Sequence, residues 1–512
     1  MLDINHGNSG GAVAQRPAAY AAAWNYAGYF FRALVNLGLT AYIARRIQPS
    51  EYGLFLFVMA LSATLYLLDL GMSYLLVQFY VDALTHAATE RLRQLLWTAF
   101  IALVALGTLG LLLFSGLALL LPGPFNIPRN QLHEAATIFV IAGLLMQIAL
   151  PTMAIELLYQ ASNSFDELNI IEMANVAATF VLSLFVIGRG FGIIGLAWVQ
   201  LVMAAFQLTF LAARAPSLAS RAGVHSLRPI SFRWAVLREL FQKSRWAFIH
   251  NLTLYGADLL TWAIITSFTS LKAAALFGIA GKLPRQLWNL VDRGANVLLP
   301  IFSRSALQQD EQALRTTLLT VLKVICGALL PFVFLGCLFA RPILQLWAGG
   351  RYLEAAPVLR WLLIAAYAHG IGYPSDELLY AVGKADKSAQ ISIWTAILGT
   401  AAALLLVFPF GVTGVAAGMA IVRIGTNCFW FTREAARETG TPARKLLSAI
   451  FNGLALPLIT LVFLSTCLLS VSARISLIAQ VLAAVAVGAL TLCLWSYRTA
   501  LPLLKTRQGL RA

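Results

Sequence analysis

The sequence predicts an all-α polytopic membrane protein of about 14 transmembrane helices, arranged as two six-helix pseudo-symmetric bundles plus two extra C-terminal helices. Three observations predict it. The chain of 512 residues is 60% apolar and only 11% charged, where a soluble protein carries roughly 25% charged residues. Its apolar residues fall in long runs, Leu95 to Leu121 without a charge and Leu54 to Val77 with one carboxylate. Each run exceeds the ~20 residues that cross a ~30 Å bilayer core as a helix, and none alternates polar with apolar as a membrane barrel strand does. The third observation is an internal repeat at a nearly constant offset.

Helical windows place the spans near 22–43, 54–77, 95–121, 135–158, 171–188 and 191–213 in the first part of the chain. The rest fall near 246–269, 273–303, 316–340, 355–373, 388–408, 411–432, 447–471 and 474–497. The N-terminal stretch lacks the short apolar core and A-x-A cleavage site of a secretory signal, so the first span is expected to be retained. An even span count puts both ends on one side. With the N-terminus inside, the inside segments hold 22 Lys and Arg and the outside loops 8. That asymmetry predicts cytoplasmic termini and accounts for much of the net charge of +16 without nucleic acid, since basic loops lie against anionic lipid.

Three sequence pairs recur in order. Glu156-Leu157-Leu158-Tyr159 returns as Glu377-Leu378-Leu379-Tyr380, an offset of 221. Gly192, Gly195 and Ala197 return as Gly411, Gly414 and Ala416, an offset of 219. Leu54-Phe55 followed by Asp69-x-Gly71 matches Leu276-Phe277 followed by Asp292-x-Gly294. The expectation is a duplication of six spans, the halves inserting in the same orientation as in transporters related by an axis along the membrane normal. The division is then a cytoplasmic tail (1–19), an N-terminal six-helix bundle (20–213) and a basic amphipathic cytoplasmic linker (214–242). A C-terminal six-helix bundle (243–432) and two additional helices with a cytoplasmic tail (433–512) complete it. In the linker, Phe232, Trp234, Leu237 and Leu240 stand against Arg233, Arg238 and Lys243.

Function is read from the polar residues inside the spans, because an ionisable side chain near the bilayer centre costs about 2.5–3.5 kcal/mol on insertion scales. Span 1 carries Asn25, Tyr29, Arg32, Asn36 and Thr40 on one helical face. Span 7 carries Asn251, Tyr255, Asp258 and Thr261 in the same way. Span 8 carries Lys282, Arg285, Asn289, Asp292 and Asn296, with Arg293 beside them. Such stripes avoid lipid and face a watery cavity. The plainer reading pairs Asp258 with Lys282 and Asp292 with Arg285 as glue between helices. Against it stands the excess of Arg32, Lys282, Arg285 and Arg293 over the two aspartates, a surplus that invites an anion such as phosphate. The candidate substrate-binding set is Arg32, Asn36, Asp258, Lys282, Arg285, Asn289, Asp292 and Arg293.

The remaining polar residues read as structural. Asp69 and Asp292, each two residues before a glycine, fit helix ends. Glu156 and Glu377 fit pairing with loop cations better than proton carriage. Arg360 and Arg423 can snorkel to headgroups, and His250 and His369 fit packing rather than metal binding. The five cysteines, Cys326, Cys337, Cys428, Cys467 and Cys493, lie in apolar runs without paired spacing and read as small core residues. No cofactor, metal site or catalytic constellation is expected, and the chain is not read as an enzyme.

Several stretches resemble the polysaccharide-transporter (Wzx-type) flippases of the multidrug/oligosaccharidyl-lipid/polysaccharide exporter superfamily. Ala44-Arg45-Arg46-Ile47-Gln48-Pro49-Ser50-Glu51-Tyr52-Gly53 is similar to that family's arginine, proline and EYG turn, and Leu68-Asp69-Leu70-Gly71 to its second-span ending. Gly350-Arg351-Tyr352-Leu353-Glu354-Ala355-Ala356-Pro357-Val358-Leu359 resembles its G-x-Y-x-x-A-x-x-V-L segment. Ala381-Val382-Gly383-Lys384 and Phe410-Gly411-Val412-Thr413-Gly414-Val415-Ala416-Ala417 resemble the small-residue signatures around span 11. Together these cover most of residues 20–432. The resemblance implies a multi-pass flippase of the bacterial inner membrane that alternates between inward- and outward-open states. It would carry undecaprenyl-pyrophosphate-linked glycan for lipopolysaccharide or exopolysaccharide synthesis. Membrane lipids, a polysaccharide polymerase and assembly proteins are its implied partners, and nucleic acid is not. Arg32 matches the family's span 1 arginine, and Lys282 and Arg285 its basic span 8.

Two competitors have different signatures. A drug or cation antiporter of the same superfamily has twelve spans and an acidic cavity. A membrane polysaccharide polymerase or ligase has a long periplasmic loop with catalytic residues, and no outside loop here exceeds about 15 residues.

Overall fold

A computed structural model describes residues 18–64, 72–120, 125–221, 224, 227–230, 232–295, 298–472 and 476–500. Among these residues there is no strand, and seventeen α-helices follow one another. In the first part of the chain they are α1 (Ala18–Arg46), α2 (Pro49–Thr64), α3 (Met72–Thr85), α4 (Thr89–Leu120), α5 (Leu132–Ala161), α6 (Phe165–Gly188) and α7 (Gly192–Arg221). The second part opens with α8 (Trp234–Phe268), α9 (Leu271–Ala295), α10 (Leu298–Leu307), α11 (Glu311–Leu338), α12 (Ala340–Trp347) and α13 (Ala356–Ala381). It closes with α14 (Ala385–Arg423), α15 (Thr432–Glu438), α16 (Ala443–Ser472) and α17 (Leu477–Trp495).

Among the described residues, every expected span coincides with helix. The described parts of span 2 are α2 and α3, and those of span 8 are α9 and α10; residues 65–71 and 296–297 lie outside the described residues. Spans 11 and 12 are two helices, the two arms of α14, which meet at a kink at Gly411, where φ is +56°. Pro409 and Gly411 make the bend, because proline removes an interior hydrogen bond and glycine accepts the left-handed backbone. Beyond Arg423 the helix widens into a π segment, Ile424–Phe431. The Gly350–Ala355 stretch forms a 3-10 turn that buries Tyr352 completely. The Leu68–Gly71 stretch and Asn296 lie outside the described residues, as do the side chains of Asn25, Asn251 and Arg293.

Two compact units result. One takes the chain up to Leu39 with Leu65–Leu120 and His133–Asn251, and the other takes Thr40–Thr64, Leu121–Leu132 and Leu252 onward. In the first, α6 packs on α7 and α3 on α4. The linker is tied there as well: Arg93 Nε donates to the Arg228 carbonyl at 3.1 Å, Trp97 Nε1 donates to the Leu227 carbonyl at 2.9 Å, and Arg91 meets Glu239 at 2.6 Å. Its apolar residues split, Leu240 being fully buried while Phe232 and Trp234 stay exposed.

The second unit is built around α13, which packs against α9, α11 and α14, with α2 lying along α9. Gly53 sets that last contact, since a Cβ there would stand 1.8 Å from the Leu271 carbonyl oxygen. Leu314, Leu318, Leu322 and Cys326 of α11 form a core with Ile371 and Leu378 of α13 and Ala435 of α15. The additional helices seat on α11, where Leu335 and Phe339 meet Leu461 of α16 and Ala484 of α17. The five cysteines are unbridged. Cys326 is core, as its apolar run implied, but Cys467 and Cys493 are exposed among the outward-facing apolar residues of α16 and α17.

Turns recur at the repeat's spacing. After α3, Ala87 takes φ of +48° and the Ala88 N–H donates to the Ala83 carbonyl; after α10, Gln309 takes φ of +54° and the Asp310 N–H donates to Ser305. Asn163 and Gly383 do the same after α5 and α13, with the Ser164 N–H donating to Tyr159 and that of Lys384 to Leu379. Gly192 and Gly411 share φ of +58° and +56°.

Candidate functional site

The second unit gathers ionisable and aromatic groups at mid-helix depth. On α9, steps of three and four residues set Lys282, Arg285, Asn289 and Asp292 along one face. Asp292 does not pair with Arg285. Its Oδ1 lies 2.9 Å from His369 Nε2, contributed by α13. The His369 ring stacks on Trp288 with centroids 4.0 Å apart and planes 21° from parallel. The Arg423 guanidinium lies 4.2 Å from the centre of the same indole. Trp288 thus touches both a fixed cation and an imidazole.

Around this stack, Arg423 is within electrostatic reach of Asp258 and Arg285. Tyr373, one turn beyond His369, sets its ring edge against the imidazole at 5.3 Å and lies within electrostatic reach of Glu377. Ser388 donates to Asp376. Where α13 approaches the π segment, a Cβ on Gly372 would meet that of Asn427 at 2.6 Å. The wide turn beginning after Arg423 is the kind of local irregularity that concentrates at functional sites. Among the described residues, neither Lys282 nor Arg285 makes an ion pair.

The first unit has its own polar interior. Arg32 of α1 forms an ion pair with Glu172 of α6. From α6 a chain of hydrogen bonds crosses to α7 and α5: Thr179 Oγ1 donates to Asn175 at 3.3 Å, Asn175 Nδ2 to Gln207 at 2.8 Å, and Gln207 Nε2 to Glu156 at 2.7 Å. Glu156 is therefore held by an amide in the helix interior and not by a loop cation.

The pairs of the plainer reading, Asp258 with Lys282 and Asp292 with Arg285, are absent among the described residues, where Asp292 turns to His369. Arg32 has the carboxylate partner that the sequence reading did not count, because Glu172 stands on span 5, outside the three stripes considered. Asn36 is exposed on α1, and Asn289 is part-buried on α9. Arg423 does not reach for headgroups; it lies on Trp288. Arg360 Nε donates to the Cys337 carbonyl at 2.9 Å, capping the end of α11. Trp288, His369, Tyr373 and Arg423 were missed as a group. A weak signal existed, since His369, Tyr373 and Glu377 recur every four residues on α13. Among the described residues, no cluster of His, Cys, Asp and Glu could hold a metal ion.

Solved structures share this fold. An inward-facing multidrug resistance transporter of the MATE family, in the MOP superfamily, matches with a TM-score of 0.68 at 16% identity, covering 80% of this chain and 96% of its own. The lipid II flippase MurJ, in an inward closed conformation, matches with a TM-score of 0.69 at 12% identity, covering 94% of this chain and 99% of its own. The Vibrio cholerae MATE transporter VcmN, in a mutant form, matches with a TM-score of 0.55 at 16% identity, covering 82% and 98%. No curated protein matches in sequence. A family model described as polysaccharide biosynthesis protein matches residues 42–357, more than half of the chain. With its transporter fold and its charged membrane interior, the chain thus belongs to the polysaccharide biosynthesis protein family.

Proposed function

We propose that this protein is a flippase that carries polyprenyl-pyrophosphate-linked oligosaccharide across the bacterial inner membrane by alternating access. The cargo on this reading is a precursor of lipopolysaccharide or exopolysaccharide. The observation that carries it is Lys282 and Arg285, one turn apart on a membrane helix without an ion-pair partner among the described residues. Two cations so placed repel each other, are costly in hydrocarbon, and are relieved by a ligand of concentrated negative charge. A diphosphate has that charge and takes the forked N–H groups of arginine as acceptor. Family membership supports a glycan, and the fold shared with MurJ and MATE transporters supports movement across the bilayer. Asn289 and Asn36 would offer hydrogen bonds to sugar, and Arg32 would exchange Glu172 for phosphate. Cytoplasmic termini, the six-span duplication with halves 20–213 and 243–432, and a polymerase partner belong to the same proposal.

A cation-exporting antiporter is the second reading, drawn from the MATE likeness, and Asp258 and Asp292 are its candidate groups. Asp292 is engaged by His369 and Asp258 stands near Arg423, which leaves little negative charge for a cationic drug. Gene deletion separates the two. Loss of the surface glycan with accumulation of its polyprenyl-linked precursor, restored by the wild type, is the expected result. A Lys282→Ala/Arg285→Ala double variant at normal membrane abundance should restore at most about a tenth of the glycan, the scale of losing hydrogen bonds to a charged group. An unchanged surface glycan in the deletion strain rules the flippase reading out.

A further inference from the structure

His369 stands thirteen residues into the 26-residue α13, roughly 20 Å from its start at 1.5 Å per residue. An imidazole at that depth is a functional group by default, because membranes select against ionisable residues that do no work. Here it is hydrogen-bonded to a carboxylate at 2.9 Å and stacked on an indole at 4.0 Å. The His369 side chain is 15% exposed, whereas that of Asp292 is 42% exposed, so the pair is open on the aspartate side only. One turn further along α13 comes Tyr373, and a turn beyond that Glu377.

We propose that His369 and Asp292 form a proton-binding site, approached along α13 through Glu377 and Tyr373, whose occupancy drives the translocation proposed above. The inference rests on that reading for its cargo but not for its chemistry. A proton taken up sits on the imidazole, which then donates from both ring nitrogens, and its Nε2–H bond to Asp292 becomes charge-assisted. On release the proton leaves the ring and a neutral imidazole remains beside the Asp292 carboxylate, so nothing else is consumed. Histidine suits the task because its charge changes nearest neutrality. A metal cation suits the place poorly, since hard cations need several oxygen ligands. One oxygen of Asp292 is committed to His369, and the fixed charge of Arg423 lies against Trp288.

The charged and titratable neighbours are few. Asp292 and, through Arg423, Arg285 come from α9; Arg423 comes from the end of α14; Asp258 comes from α8. On α13 itself stand Tyr373, Asp376 and Glu377. Towards α11 and the π segment the helix presents Tyr367 to Cys326 and Cys428. Protonation places a second cation against Trp288 beside that of Arg423. That shifts the balance of the α9, α13 and α14 contacts in the same unit, which is how occupancy would select one conformation over another.

The test reads proton occupancy without any glycan. Tryptophan emission of the full-length protein in lipid nanodiscs is followed from about pH 9 to about pH 5, spanning the usual histidine range, with a Trp288→Phe trace subtracted. A reversible quench of Trp288 on acidification is expected, because imidazolium quenches a stacked indole. It should vanish in His369→Asn, and its midpoint should move by about one pH unit in Asp292→Asn. Selective 15N labelling of histidine in the wild type gives the same titration with Trp288 intact, the signals lost in His369→Asn marking the ring. A His369 ring that does not titrate in this range overturns the proposal. In vesicles, an imposed pH gradient should raise translocation several-fold, about what 1 kcal/mol of coupling supplies, in the wild type and not in His369→Asn. Translocation indifferent to the pH gradient, or driven by sodium instead, overturns the coupling and leaves the flippase reading standing. A titrating His369 in a protein that moves no glycan lipid upholds the proton site and removes the flippase reading.

Discussion

Lys282 and Arg285 face the same problem that Arg32 faces in the first unit, and the protein treats them differently. Arg32 has Glu172; the α9 pair has no carboxylate among the described residues. If Arg32 serves the cargo, Glu172 is a placeholder that yields to phosphate, and if Arg32 is helix glue, Glu172 is half of the joint. Arg32→Ala should lower translocation about tenfold to a hundredfold, the range for hydrogen bonds to a charged group, at normal membrane abundance. Arg32→Lys should recover only part, because a point charge lacks the guanidinium fork. Glu172→Gln should keep most transport, and a loss as deep as that of Arg32→Ala would identify the pair as structural. The stripes were legible in sequence because steps of three and four residues lie on one element. The partners were not, because His369, Trp288 and Arg423 stand on three helices and each alone reads as an ordinary core or span-end residue.

At the scale of elements, close backbone approach decides more than propensity. The Glu51-Tyr52-Gly53 turn is recognisable in sequence, but its reason is visible only in three dimensions, where Gly53 leaves room for the Leu271 carbonyl at the start of α9. Gly53→Ala should cost about 1–3 kcal/mol, the range for overpacking, and lower the melting temperature of the purified protein. Gly116→Ala, with no atom within 4 Å of the new Cβ, should leave it unchanged. Equal melting of Gly53→Ala and the wild type would show that α2 and α9 do not pack as described. The kink at Gly411 falls at the boundary that hydropathy sets between spans 11 and 12, so here composition and backbone agree.

For the whole molecule, the all-α fold followed from composition, and the proposed repeat rests on ELLY and the Gly-x-x-Gly-x-Ala motif. The turns at Ala87 and Gln309 strengthen it without any sequence likeness, since only their backbone recurs. Orientation rests on the basic-residue asymmetry, which labelling can check: with membrane-impermeant reagent outside the cell, Arg351→Cys should react and Gln308→Cys, equally exposed, should not. The reverse pattern would invert the topology. The most direct measurement of the central claim uses the purified protein in liposomes carrying a fluorescent polyprenyl-diphosphate oligosaccharide, with an impermeant quencher added outside. Wild-type vesicles should lose nearly all of the signal as cargo reaches the outer leaflet, while empty vesicles and Lys282→Ala/Arg285→Ala vesicles lose only about the half that started there. A plateau at half for the wild type as well would contradict the account.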